Sequence, residues 1–346
     1  MPNIAEIDKN FKIETNVNKS DVKFYNALTP PFRIYGIFYE DGKFRRMPES
    51  VARTVSESVH SLHANTAGGR LRFKTNSPYI AINVKMPTIG KMSHFALCGS
   101  SGFDLYINGR HRFSFLPPFN VTDGYEGIVD LGSTDMKDVL INFPLYSDVS
   151  ELFIGLAESA DVLEPAPYKI EKPIVYYGSS ITQGGCASRP GTAYQGFISR
   201  ELDANFINLG FSGGARAEEP IANYIKTLDM SVFVYDYDHN APTAEFLEKT
   251  HEKMFLMIRE ANPSLPIILM TMPKAPTTPS DHLRHEIIKR TYDNALARGD
   301  RNVRLITGAE LTAISGTEGT VDTVHPTDLG FFSMAKAVTE VLKEIL

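Results

Sequence analysis

The sequence predicts a two-part α/β protein. An all-β sandwich or jelly roll is expected over residues 1–165, followed by a doubly wound α/β domain with a five-stranded parallel sheet over residues 171–346. Two observations carry this. From about Arg70 to Leu156, short alternating segments recur at roughly ten-residue spacing, with turn residues between them and no helical stretch. Beyond about residue 170, apolar runs alternate with amphipathic stretches, the pattern of a parallel sheet wound by helices.

In chain order, Pro48–His63 places Val51, Val55, Val59 and Leu62 at helical spacing and reads as one helix opened by Pro48 and Glu49. The segments RLRFKT, YIAINVKM, FDLYING, HRFSF, GIVDLG, VLINFPLY and ELFIGL read as strands, separated by NSP, GSSG, NGR and LPPFN. Asp161–Pro173 carries three prolines and reads as the linker. Five apolar runs follow, IVYYG, FINLG, VFVYDYD, PIILMTMP and VRLITG. Between the third and fourth, Phe246, Met254, Phe255, Met257 and Ile258 recur at helical spacing and read as core.

Composition narrows the function classes. The chain has 346 residues, 42% of them hydrophobic and 22% charged, which excludes a disordered or fibrous protein. Lys and Arg number 35 against 41 Asp and Glu, a net charge of −6 without a basic block, so nucleic acid is not an expected partner. No apolar run approaches the roughly 18 residues of a membrane helix, so no membrane partner is expected. Cys98 and Cys186 have no metal-ligand or disulfide spacing. With a polar N-terminus lacking leader features, this tilts the expectation to a soluble, cytoplasmic protein.

In a doubly wound sheet, ligands bind beyond the carboxyl ends of the strands. The loop after the first strand is Gly178-Ser179-Ser180-Ile181-Thr182-Gln183-Gly184-Gly185. It can present the Ser180 hydroxyl as a nucleophile, or it can be a phosphate-cradling or merely tight turn. It is neither a G-x-S-x-G elbow nor a P-loop. The second loop, Asn208–Gly214, reads as a glycine-rich βα turn whose amides can approach a ligand. In the third, Asn240 can donate to an oxyanion or cap the next helix. Near the C-terminus, Asp322-Thr323-Val324-His325 supplies an acid three residues before a histidine, the pairing that acyl transfer by serine needs. Asp236 and His239 share that spacing, but the later pair leaves Asn240 free. The pairs His60/His63 and His282/His285 could each face a metal, but without accompanying Cys or carboxylate ligands they read as surface or interface residues, and no metal is expected. Cys186, near Ser180 in sequence, reads as a pocket-lining or inert thiol.

Together these loops resemble the SGNH, or GDSL-type, hydrolase superfamily, named for Ser, Gly, Asn and His in four blocks. The resemblance places Ser180 as nucleophile, Gly213 as the oxyanion glycine, Asn240 as the oxyanion asparagine, and Asp322 and His325 in the D-x-x-H block. It implies a flavodoxin-like catalytic domain. Thr66-Ala67-Gly68-Gly69-Arg70, Gly102-Phe103-Asp104-Leu105-Tyr106 and the later FPLYSDVSELFIG are similar to the N-terminal β-domain of a bacterial branch of SGNH esterases with a G-x-D-L-Y signature. Two departures alter the pocket's charge: Ser179 replaces the family's aspartate, and Asp238 stands where glycine is usual.

The resemblance implies a serine esterase that removes short acyl groups from a carbohydrate. Ser180, His325 and Asp322 would form the triad, with Ser180 and Gly213 amides and the Asn240 side chain as the oxyanion hole. No cofactor is expected, and the expected partner is a small-molecule or oligosaccharide acyl ester. Gln183, Asp238 and His239 are the expected substrate contacts. An acyltransferase with the same triad, or a non-catalytic glycan-binding protein on this scaffold, are the alternatives. The β-domain either offers Tyr106, Phe119 and Tyr125 to a sugar face or only stabilises the fold.

Overall fold

The computed structural model describes residues 15–274 and 277–346, and the α/β architecture is the expected one. Among the described residues, twelve strands form the antiparallel half: β1 (Val22–Asn26), β2 (Arg33–Tyr35), β3 (Phe38–Glu40), β4 (Lys43–Arg45), β5 (Arg70–Thr75), β6 (Tyr79–Lys85), β7 (Phe103–Ile107), β8 (Arg110–Phe115), β9 (Gly124–Asp130), β10 (Lys137–Asn142), β11 (Glu151–Ala157) and β12 (Val162–Leu163). One sheet runs β1-β11-β6-β9. A second runs β12-β5-β10-β7-β8 with β2 beside β5, and β3-β4 is a separate hairpin. Successive side chains alternate faces along a strand. Leu71 and Phe73 of β5, Ile80, Ile82 and Val84 of β6, and Val139 and Ile141 of β10 all enter one buried cluster, so the two sheets pack face to face.

Helices α1 (Glu49–Val55) and α2 (Glu57–Leu62) replace the single helix expected over Pro48–His63. Ser56 is the reason. Its backbone is extended, and its side chain accepts the Val59 N–H as the N-cap of α2. Both helices leave the antiparallel half: Met47, Ala52 and Val59 are buried in the core of the parallel sheet. A short helix, α3 (Leu97–Ser101), precedes β7.

The second half comprises β13 (Ile170–Gly178), α4 (Ser180–Gln183), α5 (Tyr194–Leu202), β14 (Ala204–Gly210), α6 (Glu219–Ile225), β15 (Val232–Asp236), α7 (Ala244–Ala261), β16 (Ile267–Met270), α8 (Pro279–Ala297), β17 (Val303–Ile306), α9 (Gly308–Leu311) and α10 (Asp328–Ile345). The strands are parallel in the order β14-β13-β15-β16-β17, so the crevice between diverging connections opens at the carboxyl ends of β13 and β15. Val175 and Tyr177 face one core layer with α6, α7 and α8. Ile174 and Tyr176 face the other with α5 and α10.

The expected linker is shorter than its prolines suggested, because β12 still pairs with β5 and β13 already includes Pro173. A proline donates nothing to a ladder. β13, an interior strand, tolerates it because the pairing with β14 shifts register between Ile170 and Ile174, while on the β15 side the Pro173 carbonyl still accepts the Ser231 N–H. Among the described residues no helix is long and apolar enough to cross a membrane.

Candidate active site

The corner between β13 and α4 is shaped by what cannot fit there. A Cβ on Gly178 would lie 1.9 Å from the Asp236 carbonyl oxygen, and one on Gly210 would lie 2.1 Å from the Gln183 nitrogen. The three strand ends therefore close tightly around α4. Ser179, in the place of the family's aspartate, caps that helix by accepting the Ile181 N–H at 3.2 Å. Gly184 ends it at φ +103°, a conformation that side-chain-bearing residues rarely adopt. The result is a fixed, almost fully buried Ser180.

Ser180 Oγ lies 3.0 Å from His325 Nε2, and His325 Nδ1 lies 2.8 Å from Asp322 Oδ2. The other carboxylate oxygen, Oδ1, accepts the Val324 and His325 backbone N–H groups at 3.1 and 2.8 Å. Partial burial pushes the Asp322 carboxyl up, but the amides and ring that bond it outweigh this and hold it at about 2. The intervening Thr323 sits at φ +70°, a left-handed backbone that a β-branched residue adopts at a cost. The rival pair stays apart. Asp236 is buried and accepts the Thr182 hydroxyl at 3.1 Å, and among the described contacts none joins it to His239.

Three candidate donors lie on the loops that follow β13, β14 and β15. The Ser180 and Gly213 N–H groups make no hydrogen bond among the described residues. Gly213, at φ +67°, lies in the turn Phe211–Gly214. That turn is anchored by Phe211 N–H to the Gly178 carbonyl at 2.9 Å and by Ser212 N–H to Gln183 Oε1 at 3.0 Å. Asn240 Nδ2 donates to the Phe211 carbonyl at 2.9 Å, which orients the amide and leaves its second proton uncommitted.

The expected substrate contacts fare differently. Gln183 is fully buried, and its amide donates to Asn65 Oδ1 and the Leu145 carbonyl while accepting from Ser212; it braces the site and has nothing left to offer a substrate. Asp238 is also buried and accepts the Met272 N–H at 2.9 Å. Burial pushes its carboxyl up to about 7. His239 is half-buried, and desolvation, then the neighbouring His325, lower its imidazole to about 4. Of the aromatic residues expected on a sugar face, only Phe119 is exposed. Tyr125 is buried with its hydroxyl on the Ser101 and Phe115 carbonyls. Tyr106 is buried with its hydroxyl on Arg189 and its ring under Arg200. Of the histidines expected at a surface or an interface, His63 is buried against Arg45. His282 and His285 line a separate cavity with Asp238.

Sequence reasoning missed what the antiparallel half does here. Arg46 is fully buried and donates to the Asn208, Gly210 and Leu62 carbonyls, with its guanidinium over the Phe211 ring. Desolvation, partly offset by Tyr146 and Asp148, lowers it to about 9. The Tyr146 hydroxyl donates to the Ser180 carbonyl at 3.1 Å. Asp104 of the G-x-D-L-Y segment binds Arg189 at 2.8 Å and the Gly191 N–H at 2.9 Å, clamping the loop that follows α4. The signature segment was visible in the sequence, whereas nothing local marked Arg46. Finally, His94 of the antiparallel half lies beside His325, ring centroids 5.4 Å apart, and with Cys186 these form the compact grouping of potential cation ligands among the described residues.

A model of the GDSL-like lipase/acylhydrolase family matches residues 171–343, half of the chain. The chain belongs to that family. Residues 22–162 match the GxDLY domain, the N-terminus of SGNH-hydrolase-type esterases. No curated protein sequence matches the chain. Among solved structures, a protein of Bacteroides ovatus named as a GDSL-like lipase is 29% identical, with a TM-score of 0.83 over 94% of this chain and 98% of that one. A salicylyl-acyltransferase from a tetracycline biosynthetic pathway is 20% identical, with a TM-score of 0.76 over 95% of this chain and 99% of that one. A family two carbohydrate esterase from Cellvibrio japonicus is 14% identical, with a TM-score of 0.63 over 94% and 98%. The last two show the shared two-part SGNH fold.

Proposed function

We propose that the protein is a serine esterase that removes O-acetyl or another short acyl group from a carbohydrate through an acyl-enzyme on Ser180. The observation that carries the reading is the hydrogen-bonded line Asp322–His325–Ser180, ending beside uncommitted donors. His325 Nε2 takes the Ser180 proton as Oγ attacks the ester carbonyl, and Asp322 holds the ring and stabilises the imidazolium. The oxyanion is held by the Ser180 and Gly213 amides and Asn240. His325 then gives the proton to the departing sugar oxygen; a water deprotonated by the same nitrogen attacks the acyl-enzyme, and His325 returns that proton to Ser180 Oγ as the acid leaves. The carbohydrate part is supported by neighbours named as carbohydrate esterases, one of them in complex with cellohexaose.

Acetate release from an aryl acetate and from acetylated xylan, mannan and sialic acid tests this. Ser180→Ala is expected to lose roughly 10⁴-fold or more in kcat. A folded wild type silent on every ester would sink the hydrolase reading. Adding a competing alcohol measures how much acyl group goes to an acceptor other than water.

A further inference from the structure

His94 occupies the exposed tip of a tight turn in the antiparallel half, closed by the bridge between Met92 and Phe95. Cys186 lies buried in the loop after α4, and the proposed mechanism uses neither residue. One ligand atom from each of His94, Cys186 and His325 lies within 4.8 Å of the other two. With His325 Nδ1 committed to Asp322, the atom that ring can offer is Nε2.

Two further features favour a ligand at this spot. Cys186 is held at φ +75°, a left-handed backbone that residues other than glycine adopt at a cost, and such strain collects at functional positions. His325 also already donates its second nitrogen to a carboxylate, the arrangement that orients metal-bound imidazoles. We propose that His94, Cys186 and His325 form a site for a soft divalent cation of the zinc type, which reversibly shuts off hydrolysis by taking the lone pair of His325 Nε2.

The donor set selects the ion. One sulfur and two imidazole nitrogens suit zinc or cobalt and are poor ligands for magnesium or calcium, which take oxygen. Tetrahedral bonds of about 2.0–2.3 Å place ligand atoms about 3.3–3.6 Å apart. A separation at the 4.8 Å limit has to close by about 1.2–1.5 Å on metal binding, and His94, on an exposed turn, is the ligand least held by packing. The thiol proton of Cys186 passes to water as the thiolate binds, the two imidazoles bind neutral, and no electron is transferred. Ser180 Oγ, 3.0 Å from Nε2, or a water takes the fourth position. While the cation is bound, no base remains to take the serine proton.

The inhibitory half of this proposal rests on the esterase reading; the binding half does not. The full chain, stripped by a chelator, is titrated with Zn²⁺ during aryl acetate hydrolysis, with Mg²⁺ as control. Co²⁺ is titrated separately while the thiolate-to-metal absorption band is recorded. His94→Ala and Cys186→Ser are expected to keep metal-free turnover. In either variant the Zn²⁺ concentration that halves the rate should rise at least about tenfold, the smaller end of what losing even an outer-shell partner costs. The cobalt band should vanish in Cys186→Ser. Equal inhibition of wild type and both variants, inhibition by Mg²⁺ alike, or no cobalt band in the wild type overturns the site. His94 is exposed, so His94→Ala remains informative if Cys186→Ser folds poorly. A wild type that shows the cobalt band but never hydrolyses an ester overturns the esterase reading and the inhibition with it, and leaves the binding site standing.

Discussion

Asp322 illustrates how much of this site lies in single contacts. Its side chain is partly exposed, yet it stays ionised because three donors hold it, and that charge fixes which nitrogen of His325 faces the serine. Replacing Asp322 with Asn keeps the shape and favours the wrong tautomer, so kcat is expected to fall by about 10⁴. Asn240→Ala removes one of the proposed oxyanion donors and is expected to cost about 10²–10³ in kcat. In both variants KM should change little, because neither side chain is expected to bind the ground-state ester: Asp322 acts through His325, and Asn240 would meet the oxyanion only in the transition state. Steady-state kinetics on one ester decides this; a loss appearing mainly in KM would assign these residues to binding. The proposed triad of Ser180, Asp322 and His325 is legible in the sequence because its loops follow strands and carry side chains of distinctive chemistry. Gln183 was misread as a substrate contact because burial and hydrogen-bond saturation are invisible along a chain.

At the scale of the element, the end of β15 stores an unfavourable charge. Burial, then the neighbouring Asp238, pushes the Asp236 carboxyl up to about 8, and burial pushes Asp238 up to about 7. Both lie above the ordinary value of 3.8, so the folded state holds protons that the unfolded chain releases near pH 4. Their stabilising contribution is complete below about pH 4 and is lost as pH rises towards 8. Asp322 works in the opposite direction, losing its contribution only as pH falls from about 4 to about 2, so the windows do not overlap. Burial holds His239 at about 4 and His251 at about 3, which raises stability with pH up to about 6.5, so the melting temperature is expected to fall only between about pH 6.5 and pH 8, and Asp236→Asn should flatten that fall. A melting temperature that rises across the same range would refute it. The split at Ser56 belongs to this scale too. The periodicity of Val51, Val55, Val59 and Leu62 is helical as expected, but Ser56, with an extended backbone, restarts the helix.

The whole molecule is interlocked. Met47, Ala52 and Val59 complete the core of the parallel sheet, Arg46 satisfies the ends of β14, and Asp104 with Tyr106 clamps the loop after α4. Arg46→Leu removes three buried hydrogen bonds, to the Asn208, Gly210 and Leu62 carbonyls, although Leu62 keeps the Asn65 N–H, at about 1 kcal/mol each. The variant is expected to lose about 3 kcal/mol of stability in denaturant melts, together with activity. Removing residues 1–165 should yield aggregated chain rather than a separate enzyme, which size-exclusion chromatography would show. A monomeric, cooperatively melting fragment with full aryl acetate turnover would mean that the antiparallel half is dispensable.

The sequence alone determined the two-part α/β plan, since period-two and period-3.6 patterns are local properties that packing had no reason to override. It also determined the loop positions of the proposed triad, because ligands gather at strand ends in this class of sheet. Only the tertiary structure decided which half holds the nucleophile loop in place. Arg46, Asn65, Asp104 and Tyr146 lie tens of residues from the loops they brace, and their role depends on buried carbonyls and amides needing partners in three dimensions. The same holds for His94 and Cys186, which approach His325 only because two sheets and a parallel core close around one corner.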